Sequence, residues 1–319
     1  MLKLNDQFNS VSFLDKVQIG SLNFYPIKFD LKEIPKNLKS LDELFDLDLI
    51  KVTELSDEGV VSRVEVHNDS EFNLLILDGE AIKGAKQNRI AEKSVIIPPF
   101  AAEIIPVNCV EKNRWHFSES AEFSKSDFVL SPKIRETKAG LMKSKEEASI
   151  QSNVWDGIDQ LSEKLASKSY TDDLGEILNK SRISADFDYF DKLSDKDFNG
   201  YIVQGAGRSF IEVFFTKEAC KSNIKKSLNG WLADSDEGFS EDLSTNQPLY
   251  NFLESQWEKE NSIGVEKNYS SDEKHNGRSV FLKINLFMPI IIFKGRFCIC
   301  VKHVKCLSKK ITRQLEKHL

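Results

Sequence analysis

Polar and charged side chains gather in one segment of the first half of the chain, where their types suit the binding of an anion. Residues 84–89 read Gly-Ala-Lys-Gln-Asn-Arg and follow the apolar run at 74–77. Glycine permits positive φ or close approach to the backbone, so neighbouring N–H groups and the cations Lys86 and Arg89 could surround a phosphate or a carboxylate. With the nearby segment 108–115, the predicted ligand-binding residues are Lys86, Gln87, Asn88, Arg89, Arg114 and Trp115.

Two carboxylates near these cations could perform acid–base chemistry. Glu80 and Glu111 are each able to act as a general base that activates water, while Lys86 and Arg89 neutralise phosphate charge. That combination would hydrolyse a nucleotide or an ADP-ribose-like substrate. If the chain is an enzyme, the catalytic residues that we predict are Glu80 and Glu111.

Cys109 offers a different chemistry, because a thiol can act as a nucleophile. Arg114 lies close to it in the sequence, and positive charge lowers the pKa of a thiol. However, a cysteine that ends a strand is more often a small buried hydrophobic residue.

A tryptophan after a strand, such as Trp115, could stack on a ring but is more often part of a core. His116 is a further candidate for a general base.

The same polar residues could instead form a structural network. Gln87 and Asn88 could cap strand ends, and Glu80 could pair with Lys86 or Arg89. The spacing of the glycines matches neither a P-loop nor a dinucleotide fingerprint. A functional site requires the side-chain tips to surround one concave pocket, and the residues that we expect there are Glu80, Lys86, Asn88, Arg89, Glu111 and Arg114.

Cysteine and histidine residues near the C-terminus resemble a zinc ligand set only in their composition. Strand alternation would place Cys298 and Cys300 on one face and His303 on the other, so these residues and Cys306 could not form a tetrahedral site unless the strand ended early. We therefore predict no metal site. The sequence also identifies no cofactor.

The elements that must position the polar segments are short strands in the first part of the chain. Apolar runs at 50–54, 60–66, 74–77, 95–97 and 104–107 are separated by turn clusters, and such short connections favour an antiparallel arrangement. Gly20 indicates a bend in an opening strand or hairpin. Ser40 with Glu43 forms the capping-box pattern that begins a short helix.

The second part of the chain has helical periodicity followed by further strands. We predict helices at about 150–182, with Thr171 as a cap, and at 217–231, and a hairpin with its turn at 205–208. Residues 131–149 are rich in Lys and Glu, which indicates a boundary or a solvated helix. The prediction is an α+β fold with two domains: an antiparallel β-rich domain at 1–130, which carries both polar segments, and an α+β domain at 131–319 that ends in strands and a basic tail.

Composition limits the classes of function. The chain has 319 residues, 40% hydrophobic and 29% charged, with a formal net charge of −6 that is spread among interspersed charges. This balance does not favour nucleic acid as a partner. The chain has no apolar run of bilayer length and no signal-type N-terminus, and its five irregularly spaced cysteines do not suggest disulfides, so we expect a cytoplasmic protein without a membrane partner.

The two polar segments also carry a resemblance. The motifs at 78–89 and 105–115 resemble the family named for its association with ADP-ribosylglycohydrolase and rhodanese-phosphatase proteins. The likeness extends over most of the chain, although the sequence departs from the family at Asn108 and near Gly230, where that family more often has serine. The resemblance implies an α+β fold and a setting of nucleotide or ADP-ribose chemistry, such as bacterial conflict or nucleotide metabolism, and it implies no particular mechanism.

Three functions remain open from the sequence. The first is the binding of a phosphorylated, nucleotide-like or ADP-ribose-like ligand, which suits many fixed polar groups without an evident nucleophile–base pair. The second is hydrolysis of such a ligand. The third is a non-catalytic scaffold in a defence complex, for which the same residues would be structural; the sequence identifies no protein partner.

Overall fold

Three β-sheets and a set of helices make up the structure, which confirms the predicted α+β class. The computed structural model describes residues 8–31, 37–56, 58–117, 121–144, 149–181, 193, 195–205, 208–235 and 290–292. The strands are β1 (Phe8–Phe13), β2 (Val17–Ile19), β3 (Leu22–Leu31), β4 (Leu38–Ser40), β5 (Ile50–Thr53), β6 (Arg63–Asn68), β7 (Asn73–Ile76), β8 (Glu80–Gly84), β9 (Arg89–Ala91), β10 (Val95–Ile97), β11 (Ala101–Cys109), β12 (Phe123–Val129), β13 (Gly200–Gly205), β14 (Arg208–Val213) and β15 (Ile290–Ile292). The helices are α1 (Leu41–Asp46), α2 (Pro132–Ser144), α3 (Ile150–Lys164), α4 (Leu174–Lys180) and α5 (Lys217–Asp234).

The polar segments belong to a six-stranded antiparallel sheet that curves into a barrel. Its strand order is β12-β8-β9-β11-β6-β5. An antiparallel bridge joins Thr53, at the end of β5, to Glu122, just before β12, so the two outer strands meet. Alternate side chains along these strands share one apolar core, as expected for a small barrel. The core includes Val52, Val64, Val66, Ile82, Ala91, Ile105, Val107 and Phe123.

A second sheet joins the two ends of the chain. In it β3 pairs with β13, with Ile27 opposite Gly200, and β14 pairs with β15. This pairing crosses residue 130, so the predicted domain boundary does not separate the sheets. Helix α5 packs on this sheet through Trp231, whose ring centroid lies 5.1 Å from that of Tyr201. The apolar stripe of α5 is buried and consists of Cys220, Ile224, Leu228 and Trp231.

The third sheet contains one parallel pair among the described strands. Its order is β10-β7-β4, and β4 runs parallel to β7 while β10 is antiparallel. The predicted antiparallel pairing therefore holds for the barrel but not for this small sheet, and the barrel's strand order is not the sequential order of a meander. Residues of β7 contribute to two cores, because Leu74 and Ile76 face the barrel core and Leu75 faces the core of the second sheet.

Helices α3 and α4 cover the barrel from outside. The apolar stripe of α3, which consists of Ile150, Val154, Ile158 and Leu161, is buried in one cluster with Ala81, Ile90 and Val110. Helix α4 begins two residues later than predicted, because Asp173 rather than Thr171 is its N-cap: the Asp173 carboxylate accepts a hydrogen bond from the N–H of Gly175.

Helix α2 differs from the solvated helix that was predicted. Its side chains Arg135 and Lys138 are buried, and each reaches a carboxylate, Glu212 and Asp78 respectively. Gly79 permits this packing, since its φ is +75° and a Cβ atom there would lie 2.8 Å from Cδ of Arg135. The charge pattern predicted an exposed face, and this prediction was wrong because the partners come from other elements.

Some predicted features lie outside the described residues. They include the basic tail and the cysteines and histidine considered as zinc ligands. Strand β15 is described, and it pairs with β14. None of the helices within the described ranges is long and apolar enough to cross a bilayer.

Replacing Ser40 with alanine is expected to lower the free energy of unfolding by about 1 kcal/mol. The predicted capping box is confirmed: the Ser40 hydroxyl accepts from the N–H of Glu43, and the Glu43 carboxylate accepts from the N–H of Ser40. Loss of the hydroxyl leaves the first turn of α1 without this acceptor. Urea denaturation measures the change. Ser152→Ala, at an exposed position of α3, is the control and should change it by less than about 0.5 kcal/mol.

Candidate functional site

The turn between β8 and β9 brings the first polar segment to one end of the barrel. Gly84 has a φ of +123°, and a Cβ atom there would lie 2.8 Å from the carbonyl oxygen of Glu122. Ala85 follows with a φ of +42°. A glycine is therefore needed at residue 84, as the sequence indicated, and the chain reverses to place the next four residues against β11 and its following loop.

Arg114 joins the two polar segments and uses all of its donors within the protein. Its Nε and Nη2 donate to the two oxygens of Glu111 at 2.7 and 2.6 Å. Its Nη1 donates to the carbonyls of Ala85 and His116 at 2.7 and 3.0 Å, and Nη2 also approaches the carbonyl of Gly84. The predicted role of Arg114 as an anion clamp is not favoured, because a clamp needs free N–H groups.

Glu111 is equally occupied. Besides Arg114, its carboxylate accepts from the N–H of Asn88 at 3.0 Å and from the hydroxyl of Thr171 at 2.9 Å. A general base needs an oxygen that can approach the proton it removes. The four donors around this buried carboxylate leave little room for that, so the geometry does not favour the predicted catalytic role of Glu111.

Gln87 and Asn88 connect the turn to its surroundings. Gln87 donates to the carbonyl of Glu111 at 2.7 Å, and Asn88 accepts from the N–H of Gly84 at 2.9 Å and donates to Asp173 at 3.2 Å. Burial raises the pKa of Asp173, and the hydrogen bond from Asn88 partly opposes this. Both amides therefore have the structural role that was considered for them as strand-end caps.

Glu80 lies in a different cluster. Its two oxygens accept from Nζ of Lys226 at 2.9 Å and from the N–H of Leu77 at 3.0 Å. Lys226 also donates to Asp42 at 2.6 Å, and the Asp42 carboxylate accepts from Ser222 at 2.5 Å. Burial lowers the pKa of Lys226, but the attraction of both carboxylates outweighs it and the net pKa is raised. The expected pairing of Glu80 with Lys86 or Arg89 is wrong, and Glu80 does not converge with the other site residues.

Arg89 is fully buried and only partly satisfied. Its Nη1 donates to Oε1 of Gln87 at 2.8 Å, and its Nη2 lies 3.6 Å from Oε1 of Glu54. Within the described part of the chain, Nε and Nη2 of Arg89 and both carboxylate oxygens of Glu54 lack a hydrogen-bond partner. Burial lowers the pKa of Arg89, which the neighbouring Cys109 and Glu54 partly offset. Two opposite charges therefore lie together with unused hydrogen-bonding capacity.

A layer of cationic and aromatic side chains covers this pair. Nζ of Lys86 lies 5.4 Å from the ring centroid of Trp115 and 5.1 Å from that of Phe117, and it donates to the carbonyl of Glu58 at 2.9 Å. The Trp115 ring also lies over the guanidinium of Arg89, at 5.5 Å, while 43% of Trp115 remains exposed. We call the group formed by Glu54, Lys86, Arg89, Trp115 and Phe117 the barrel-end site.

Gly59 allows this layer to close over Glu54. Its φ is +74°, and a Cβ atom there would lie 3.2 Å from Cδ of Lys86 and 3.3 Å from both Oε2 of Glu54 and Cζ2 of Trp115. The loop between β5 and β6 is thus close both to the buried carboxylate of Glu54 and to the Lys86 and Trp115 side chains that cover it.

The chain matches a known protein family. The family described as the ARG and Rhodanese-Phosphatase-superfamily-associated Protein domain, ARPP-1, matches residues 10–284, which is well over half of the chain. The chain belongs to this family. Comparisons with curated proteins and with solved structures give no match.

Within this ARPP-1 chain, Cys109 is placed beside the barrel-end site but is not activated. Its thiol donates to the carbonyl of Glu111 at 3.1 Å and is buried. Burial raises the pKa of the thiol, and the positive charge of Arg89 only partly opposes this. A reactive cysteine needs a lowered pKa and access to solvent. The structural role expected for a cysteine at a strand end fits this geometry better than catalysis.

The sequence analysis of the ARPP-1 chain missed Glu54 and Phe117. Glu54 continues the alternation of Ile50 and Val52, which are both buried, so a carboxylate falls on the inward face of β5. This alternation could have identified Glu54 from the sequence, because a carboxylate that shares a strand face with core residues needs a hydrogen-bonding or charged partner. Phe117 gave no such signal.

Proposed function

We propose that the chain binds a phosphorylated or nucleotide-like ligand at the barrel-end site. The observation that carries the proposal is the unsatisfied pair of Arg89 and Glu54, which lies beneath the buried ammonium of Lys86 and the exposed rings of Trp115 and Phe117. A buried donor or acceptor without a partner costs about 1 to 3 kcal/mol, more when it is charged. A ligand that offers hydrogen bonds to these groups would recover that cost.

The covering layer supplies the other contacts that such a ligand needs. An ammonium has three donors, and Lys86 uses one of them on the carbonyl of Glu58. Trp115 and Phe117 are 43% and 38% exposed, so a base could reach these rings and stack on them. Ligand sites are common at the ends of β-barrels, where apolar walls surround a few fixed polar groups.

Binding without turnover is favoured over hydrolysis by the state of the predicted bases. Glu80 and Glu111 are both engaged by internal donors. A scaffold role would leave the unsatisfied atoms of Arg89 and Glu54 without a purpose. ADP-ribose, NAD and nucleoside phosphates form the test set, because the resemblance noted from the sequence implies a setting of nucleotide or ADP-ribose chemistry.

Lys86→Met is expected to weaken ligand binding at least about tenfold while leaving the melting temperature of the free protein nearly unchanged. Without the ammonium, the phosphate loses the cation that lies over the Trp115 and Phe117 rings, whereas the methionine side chain still fills the space beside the rings. Arg89 is less suitable for this test, because its removal would leave Glu54 buried without a counter-charge.

Thermal shift gives the measurement. A ligand at a concentration of 100 times its Kd should raise the Tm of the wild-type protein by about 5 °C. Lys83→Met, at an exposed position on the same β8 strand, is the matched control and should keep the full shift. If no member of the test set shifts the wild-type protein, the proposed function is rejected. A shift accompanied by product formation would identify an enzyme instead.

A further inference from the structure

The unused hydrogen-bonding groups of the barrel-end site have a definite pattern. Nε and Nη2 lie on one edge of a guanidinium, so Arg89 presents two adjacent donors. Both oxygens of Glu54 are acceptors, and the two groups are only 3.6 Å apart. The thiol of Cys109, which lies beside Arg89, is only a weak acceptor and does not replace a ligand oxygen or nitrogen.

We infer that the ligand is a guanine nucleotide, whose base is read jointly by Arg89 and Glu54. This inference rests on the proposed function. Guanine carries two adjacent acceptors, O6 and N7, which match the donor edge of an arginine. On the neighbouring edge it carries two adjacent donors, N1–H and the 2-amino group, which match a carboxylate. The two edges meet at O6, so side chains as close as Arg89 and Glu54 can contact both.

Other bases do not fit this pattern. Adenine has an amino group where guanine has O6, so it would place a donor against the donors of Arg89, and it has no N–H at N1 to offer Glu54. Pyrimidines lack the N7 acceptor. Each mismatch leaves a buried charged group unpaired, which is the strongest basis for rejecting a ligand.

The covering layer has a role in this recognition. The orphan atoms of Arg89 and Glu54 are buried under Trp115 and Lys86, so the base reaches them only when these side chains move aside. Trp115 then provides a face for stacking on the base, and the Lys86 ammonium is free to contact the phosphate. Binding should therefore alter the fluorescence of Trp115, and Trp115→Phe should remove that signal.

The first experiment compares nucleotides that differ only in the base edge. Isothermal titration of the full chain with GMP, IMP, XMP and AMP should give the tightest binding for GMP and at least about tenfold weaker binding for AMP. IMP, which lacks the 2-amino group, should fall between them. Equal or tighter binding of AMP overturns the guanine inference while the proposed function stands. Absence of binding by all four, and by ADP-ribose and NAD, overturns both.

A substitution at Glu54 gives a gain of binding that a purely structural role would not produce. Glu54→Gln replaces one acceptor with an amide donor, so GMP should bind at least about tenfold more weakly and XMP, which has an oxygen at C2, should bind more tightly than to the wild type. Glu58→Gln, an exposed neighbour in the same loop, should change neither affinity. Loss of GMP binding without any gain for XMP, in a variant that melts normally, would contradict direct contact between Glu54 and the base. The nucleotide series on the wild-type chain still tests the inference if Glu54→Gln does not fold.

Discussion

Replacing Lys138 with alanine is expected to lower the free energy of unfolding by about 3 to 5 kcal/mol. The Lys138 side chain is 0% exposed, and its ammonium donates to the Asp78 carboxylate and to the carbonyl of Glu92. Without the cation, Asp78 remains buried with an uncompensated charge, and the carbonyl loses a donor. Denaturation in guanidinium chloride measures the loss, provided that the transition stays two-state.

The control for this prediction is an exposed ion pair on another helix. Lys180→Ala removes the partner of Glu176 in α4, where both side chains are about half exposed, and should cost less than about 1 kcal/mol. Lys138→Met combined with Asp78→Leu removes both charges at similar volume and should recover most of the stability. A loss for Lys138→Ala as small as that of the control would show that water reaches Asp78.

Helices whose burial depends on apolar spacing could be predicted from the sequence, whereas α2 could not. In α3 and α5 the apolar residues recur on one face, and that face is the buried one. In α2 the buried residues include Arg135 and Lys138, which are charged. Their partners Glu212 and Asp78 are 77 and 60 residues away in the sequence, so nothing local distinguishes these cations from exposed ones.

The polar segments of the site could be located but their pairings could not be assigned. Gly84 correctly indicated a special backbone conformation, because the need for positive φ is a local property. The sequence predicts Lys86 or Arg89 as the partner of Glu80, because both are near it in the sequence. In the structure its partner is Lys226 of α5, which is 146 residues away. The partner of Arg89 is Glu54, which follows β5 on the opposite side of the closed barrel. Barrel closure is a tertiary feature, and it decides which charges meet.

Replacing Arg114 with alanine is expected to cost about 3 kcal/mol or more of unfolding free energy. Arg114 holds the carboxylate of Glu111 by two hydrogen bonds and contacts the carbonyls of Ala85 and Gly84 in the turn. Its loss therefore leaves a buried carboxylate without its cation and frees the turn that positions Lys86. Urea denaturation measures the loss of stability, and thermal shift with the nucleotide set measures any binding that remains.

Two further variants separate charge from geometry at this position. Arg114→Lys keeps the positive charge but cannot form the paired hydrogen bonds to Glu111, so it should recover only part of the stability. Arg63→Ala, an exposed arginine on β6, is the control and should change the free energy by less than about 0.5 kcal/mol. An Arg114→Ala protein that melts like the wild type but no longer binds the ligand would mean that Arg114 is an anion clamp, as the sequence had suggested. Loss of stability is the outcome that the structure requires, because every N–H of this guanidinium already has an acceptor within the fold.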